Sequence, residues 1–168
     1  GQGGLLASPV QIAAMMNTIA SGGVYRTPFF VCSSVDETDG TPLETLAHPQ
    51  SKRVMSAENA ALLRKMLCQV VEEGTAQDAA WLEEGAGGKT GTAQNPHGAD
   101  HSTFMCFAPR NHPKIAVSVY VENGRWGGVA AAPIASLLTE LYLTDTVTRP
   151  QLVEYVKNLQ INYPYYGK

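Results

Sequence analysis

The segment Gly87-Gly88-Lys89-Thr90-Gly91-Thr92-Ala93-Gln94 brings glycines, a lysine and two hydroxyl side chains together on one short stretch. It is typical of a strand, along which side chains alternate, so that Lys89 and Gly91 face one way and Thr90 and Thr92 the other. Gly91 leaves room for a substrate backbone to pair with the strand edge, a common mode of peptide recognition. The segment therefore predicts a site for a peptide carboxylate, where a backbone N–H of the edge can stabilise an oxyanion.

Two more strands are predicted downstream of this segment. Residues 103–108 are mostly apolar, and residues 115–121 alternate with a period of two through Ile115, Val117, Val119 and Val121. Only the short turn from Pro109 to Pro113 separates the two, so we expect antiparallel neighbours.

Helices are predicted around these strands. Ser8-Pro9 is typical of a helix start, and Gly22-Gly23 ends that helix. A second helix runs from a Ser56 cap to Gly74, with an apolar stripe formed by Leu62-Leu63, Met66-Leu67 and Val70-Val71. The buried face of a third is expected to consist of Ile134, Leu137, Leu138, Leu141 and Tyr142. Residues 24–55 indicate a hairpin or irregular excursion, residues 75–84 a short helix, and the tail from Thr144 one more helix.

The composition bounds the class of protein. The chain has 168 residues, 44% of them hydrophobic, and a net charge of -3. This suits one domain with a core and gives no electrostatic footprint for nucleic acid. No apolar run reaches the length of a membrane span. A start at Gly1 without methionine predicts an excised or processed piece. Three cysteines, an odd number, argue against a disulfide framework.

Several segments in one order carry a resemblance to a known family. They are Gly1-Gln2-Gly3, Ser8-Pro9-Val10-Gln11-Ile12-Ala13, Lys89-Thr90-Gly91-Thr92-Ala93-Gln94, Phe104-Met105-Cys106-Phe107-Ala108-Pro109, Lys114-Ile115-Ala116-Val117, Val121-Glu122-Asn123-Gly124 and Ala131-Ala132-Pro133-Ile134-Ala135. Together they resemble the C-terminal half of the transpeptidase domain of class B penicillin-binding proteins, and within that class the penicillin-binding protein 2, or elongation, type. The resemblance covers residues 1–143 and leaves residues 144–168 as a C-terminal tail.

This resemblance implies an α+β fold in which helices pack on an antiparallel sheet, with three of its strands in this fragment. It implies acyl transfer from the D-Ala-D-Ala end of a peptidoglycan stem peptide to a neighbouring stem, and acylation by β-lactam antibiotics. Lys89 would support catalysis through the electrostatics and proton network of the site. Thr90 and Thr92 would bind the terminal carboxylate, beside Gly91, and the N–H of Thr92 would form half of an oxyanion hole. No cofactor is implied. The location implied is the periplasmic face of the bacterial inner membrane, with the parent protein anchored there.

Two motifs of the family are absent from all 168 residues, namely Ser-x-x-Lys and Ser-x-Asn. They belong to the N-terminal half of the domain, which would also supply the strand beside the Val117 strand. The fragment is therefore expected to be inactive alone and to expose a long apolar strand edge. Such an edge favours pairing with the missing half or self-association.

Two other motifs fit the sequence less well. Gly87-Gly88-Lys89-Thr90 resembles the end of a phosphate-binding loop, but that motif needs glycine where the chain has Glu83, and a helix rather than a strand afterwards. Ser102 follows His101, yet neighbours in sequence seldom adopt the geometry of nucleophile and base, and no Gly-x-Ser-x-Gly elbow is present. A serine in a loop is the simpler interpretation.

Two interpretations that do not involve acyl transfer stay open. His97, Asp100 and His101, with Cys106 or His112, have some of the spacing of a zinc site. They flank a polar hairpin tip, and we predict no metal. The chain could instead be a structural or interaction module that docks through Tyr163-Pro164-Tyr165-Tyr166, since aromatic residues are common at interfaces.

Overall fold

The computed structural model describes residues 3–31, 33–44, 50–76 and 85–161. Four helices are found there: α1 (Pro9–Ala20), α2 (Ala57–Glu72), α3 (Ala131–Thr144) and α4 (Pro150–Lys157). The strands are β1 (Val24–Arg26), β2 (Ser34–Val35), β3 (Pro42–Glu44), β4 (Ser51–Arg53), β5 (Gly87–Ala93), β6 (His101–Ala108) and β7 (Ile115–Val121). In this part of the chain no helix is long and apolar enough to cross a membrane.

The main sheet has the order β5-β6-β7, and both pairs are antiparallel. Lys89 lies opposite Met105, and Phe104 lies opposite Val119. The predicted three-stranded antiparallel sheet with packed helices, and hence the α+β class, is confirmed. β6 begins at His101, two residues earlier than predicted, because His101 and Ser102 remain in register with Ala93 and Thr92.

Both faces of the sheet are covered, because β6 is apolar on both sides. Phe104 and Cys106 face α3 and pack with its alanines, while Phe107 faces α1 and packs with Met16. α2 lies beside β5 and contributes to both clusters.

The helix boundaries agree with the prediction for α1 and α2. Ser8 caps α1 and exchanges bonds with Gln11, as in a capping box, and Ser56 caps α2 through the N–H of Asn59. The predicted excursion at residues 24–55 contains β1 paired with β4 and, between them, β2 paired with β3. The hairpin interpretation is therefore confirmed for its described part. The predicted helix at residues 75–84 lies mostly outside the described residues.

The predicted buried faces of two helices are partly wrong. On α3, Leu138, Leu141 and Tyr142 are 49%, 47% and 59% exposed, and the buried positions carry mainly alanine, serine and threonine. Small residues allow the helix to approach the sheet closely, so the large apolar residues point away from it. On α2, Leu62 and Met66 are exposed, because this helix lies at the margin of the sheet.

The tail forms the predicted helix, α4, which packs on α3. Its contacts show that residues 145–161 belong to the folded body rather than trailing from it. The predicted aromatic docking segment at residues 163–166 lies outside the described residues.

Candidate functional site

Lys89 and Thr90 converge at the outer edge of β5. The Lys89 side chain is exposed, and its Nζ donates to the carbonyl of Thr90 at 2.8 Å and to Thr90 Oγ1 at 3.4 Å. Although the two side chains start on opposite faces of the strand, the lysine curls over the edge. An ammonium group and a hydroxyl therefore meet there, as a carboxylate ligand would require.

A second threonine supports this edge. Thr75, which follows α2, has its Oγ1 at 2.9 Å from Thr90 Oγ1. Sequence patterns predict Thr75 only as the start of a short helix, so this contact could not be foreseen from them. Thr90 Oγ1 thus has two polar neighbours, Thr75 Oγ1 and Lys89 Nζ, and since a hydroxyl can form three hydrogen bonds, one is left for a ligand.

Gly91 is partly buried within β5, and Thr92 is exposed near the end of the same strand. A Cβ on Gly91 would lie 2.4 Å from Thr103 Oγ1, so any larger residue would displace the Thr103 side chain. On the same face, Lys89 and Gly91 border a cleft whose other walls are β6, β7 and the start of α1, including Pro9 and Ile12. Thr92 is exposed and does not join the contact between Lys89 and Thr90.

The loop between β7 and α3, residues 123–130, covers the opposite face of β5; we call it the backing loop. Gly127 is so close to β5 and β6 that a Cβ would lie 2.6 Å from the carbonyl of Thr103, 2.8 Å from that of Gly91 and 2.9 Å from Thr90 Cβ. The sequence has glycine at positions 124, 127 and 128, but no local pattern identifies what they approach. Contact with Thr90 and Gly91 makes this loop part of the site.

Buried polar side chains hold the backing loop in place. Ser102 is fully buried; its Oγ donates to the carbonyl of Trp126 at 2.9 Å and accepts from the N–H of Ala131 at 3.0 Å. It thereby supplies the side-chain cap that α3 lacks from its own N-cap residue, Ala130. The loop-serine interpretation of Ser102 is wrong, because the residue lies in a strand and binds a helix start.

Two residues of the possible metal site, His101 and Cys106, have partners within the fold. His101 accepts a bond from the N–H of Asn123 at its Nδ1 and lies beside the ring of Tyr120. Burial raises the pKa of the Cys106 thiol to about 11, and this sulfur lies in the core, 3.9 Å from Thr139 Oγ1. No group of three or more metal-ligating side chains occurs in the described ranges. Cys68 and Cys106 are both buried free thiols.

The chain matches the family model described as "Penicillin binding protein transpeptidase domain" over residues 1–140. It is 34% identical over 145 residues to peptidoglycan D,D-transpeptidase PbpA of Mycolicibacterium smegmatis, a match that covers 80% of this chain and 29% of that protein. It is 29% identical over 169 residues to stage V sporulation protein D of Bacillus subtilis, covering 95% of this chain and 26% of the relative.

Solved structures show the same similarity. Penicillin-binding protein A of M. tuberculosis, as an imipenem acyl-enzyme complex, aligns with a TM-score of 0.76 and 31% identity, over 86% of this chain and 32% of that one. Penicillin-binding protein 2 of Pseudomonas aeruginosa aligns with a TM-score of 0.66 and 30% identity, over 99% and 34%. The chain thus spans about a quarter to a third of the length of the proteins it matches.

Proposed function

This chain belongs to the penicillin-binding protein transpeptidase family, and from that premise we propose that it is the C-terminal part of a peptidoglycan D,D-transpeptidase. The observation that carries the proposal is the convergence of Lys89 Nζ and the Thr90 hydroxyl at the edge of β5, beside an open cleft. A strand edge with a cation and hydroxyls suits a peptide that ends in a carboxylate.

In this proposal the residues of β5 have different roles. Thr90 and Thr92 bind the terminal carboxylate of the stem peptide, or the corresponding carboxylate of a β-lactam. The carbonyl of Thr90 lies at the edge that Lys89 reaches, and polar groups alternate along an antiparallel strand, so the N–H of Thr92 points to the same edge. That N–H can donate to an oxyanion, while Gly91 lets the substrate approach.

Lys89 acts through its charge. The acyl transfer needs a serine from the other half of the domain, which attacks the D-Ala-D-Ala carbonyl and expels D-alanine. The acyl group then passes to the amine of a second stem. Negative charge develops on the carbonyl oxygen in both steps, and an ammonium group at the edge of the site stabilises it. Lys89 is thus a catalytic residue that does not form a covalent bond.

We assign the missing half a docking surface at the free edge of β7. β7 pairs only with β6 among the described strands, and exposed apolar side chains of α1 and α3, including Val10 and Tyr142, flank its start. A strand and helices from an N-terminal half would cover this margin.

Residues 1–143 then complete a transpeptidase domain of the class B, penicillin-binding protein 2 type, with residues 144–168 appended. Peptidoglycan as substrate implies a periplasmic location at the inner membrane, which cell fractionation of the parent protein tests.

The chain alone is expected to gain no mass from excess benzylpenicillin, because it contains no Ser-x-x-Lys motif. A joined domain, in which the chain follows the N-terminal half of a relative's transpeptidase domain, is expected to form a stoichiometric adduct. Intact-mass spectrometry measures both. A folded joined domain without an adduct would contradict the proposal, and an adduct on the chain alone would show that one of its own serines is activated.

Free β7 edges are expected to associate when the missing half is absent. Sedimentation velocity should show a mass that rises with concentration. Tyr120→Lys places a charge at an exposed position of the edge strand and is expected to reduce association, since charges on edge strands oppose pairing. Lys52→Ala, a change on exposed β4, serves as the control. A strictly monomeric wild-type chain would argue against this assignment of the surface.

A further inference from the structure

The tail helix α4 lies beyond residues 1–140, which the family model matches, and it bonds to the backing loop. Tyr155, on α4, donates from its Oη to the carbonyl of Val129 at 2.9 Å. Val129 is part of the same loop that covers Thr90 and Gly91. A residue 26 positions away from Val129 in sequence therefore binds the loop.

A tight turn connects this contact to the strand. The N–H of Val129 donates to the carbonyl of Trp126 at 2.9 Å, and that carbonyl also accepts from Ser102. The carbonyl of Gly127 accepts from the N–H of Ala132 at 2.9 Å. The turn is thus bonded at both ends, and Gly127 within it abuts Thr90 and Gly91 without space for a single methyl group. Displacement at Val129 would move Gly127 as well.

The tail that carries Tyr155 is itself held firmly. Glu140, buried on α3, accepts bonds from the N–H and hydroxyl of Thr148 at 2.9 and 2.6 Å and from Arg149 at 3.0 Å. Arg149 also donates to Ser136 at 3.2 Å. We call these contacts the tail latch. They fix the chain just before α4 begins at Pro150, so the Tyr155 hydroxyl is presented from an anchored element.

We propose that Tyr155 is a positioning residue. Its bond to the backing loop holds that loop against β5, whose edge is the candidate substrate-binding site. The bond to Val129 holds the loop in the position that Gly127 needs against Thr90 and Gly91. The tail then sets the geometry of the edge without touching the ligand. Only the consequence for substrates rests on the proposed function; the mechanical coupling between α4 and β5 does not.

Hydrogen exchange on the chain itself tests the coupling. Tyr155→Phe keeps the ring and removes the bond, and we expect the bonded amides of Val129, Ala132 and Gly91 to exchange roughly two- to tenfold faster, as befits one lost hydrogen bond. Tyr142→Phe, at an exposed tyrosine of α3, is the matched control and should leave these amides unchanged. Tyr155→Ala removes both the ring and the hydroxyl, so comparison with Tyr155→Phe shows which of the two groups matters.

Faster exchange confined to α4, or no change with phenylalanine while alanine has an effect, would overturn the proposal in favour of simple packing. A global loss of protection with phenylalanine would also count against it, since a positioning bond should act locally. In the joined domain, Tyr155→Phe is expected to slow acylation by benzylpenicillin by a similar factor at unchanged melting temperature. If the wild-type joined domain is not acylated, the proposed function fails while the exchange result stands.

Discussion

Glu140→Ala is expected to lower the free energy of unfolding by about 3 kcal/mol, the lower end of the usual cost of removing one partner of a buried ion pair, because the Arg149 side chain is 22% exposed. Glu140 is only 4% exposed and receives bonds from Thr148 and Arg149, with its Oε2 at 3.0 Å from both the Nε and Nη2 of Arg149. Alanine removes the carboxylate that accepts bonds from Thr148 and from the Arg149 guanidinium. Chemical denaturation monitored by circular dichroism measures the effect.

Glu154→Ala provides the matched control. Glu154 pairs with Lys157 at 3.3 Å on exposed α4, and exposed pairs contribute about 0–1 kcal/mol. A loss from Glu140→Ala no larger than that from Glu154→Ala would contradict the role of the tail latch.

The contribution of Glu140 should also depend on pH. Burial alone would raise the pKa of this carboxyl, but hydrogen bonds from Thr148 and Arg149 outweigh burial and lower it below the ordinary 4.5. A lowered pKa in the folded state means that the stabilisation is present above the pKa of the unfolded chain. It is lost as the pH falls through the folded value. The difference between wild type and Glu140→Ala should therefore shrink in acid.

The sheet could be predicted because its signals are local. Alternating residues at 115–121 and the short turn before them identify β7 and its antiparallel neighbour, and the glycine and threonine pattern identifies β5. Periodicity failed for α3, where it indicated a buried face of large residues. The real buried face is made of alanines such as Ala131 and Ala135, which permit close approach to the sheet. Leu138 and Leu141 are instead exposed, and Tyr142 lies at the margin where a further part of the domain is proposed to dock.

The candidate site could be predicted only as far as β5. Lys89 and Thr90 are adjacent in sequence, so their convergence follows from one strand. The supports of that strand come from far away: Thr75 from the end of α2, Gly127 from the backing loop and Ser102 from β6. Ser102 caps a helix start 29 residues later, a contact that no local pattern encodes. Long-range hydrogen bonds of this kind need the fold before they can be recognised.

Lys89→Met in the joined domain is expected to slow acylation by benzylpenicillin by roughly 10²–10³-fold, the cost of losing one electrostatic stabiliser of a developing oxyanion. Methionine keeps much of the length of the lysine side chain and removes its charge. Nζ of Lys89 also bonds the carbonyl and hydroxyl of Thr90, so the variant releases the threonine that is proposed to bind the carboxylate. Stopped-flow or quenched acylation with a fluorescent penicillin, over a range of concentrations, separates binding from the chemical step.

Lys52→Met, on exposed β4, removes the same charge away from the site and should acylate at the wild-type rate. Thermal unfolding of both variants should match the wild type, because the Lys89 side chain is exposed and its loss creates no cavity. If Lys89→Met raised only the concentration needed for half-maximal rate, the lysine would be a binding group rather than a catalytic one. If it changed neither quantity, the convergence of Lys89 and Thr90 would not be the centre of the site. A loss in the chemical step, with folding intact, is the outcome that ties the charge on β5 to the transition state.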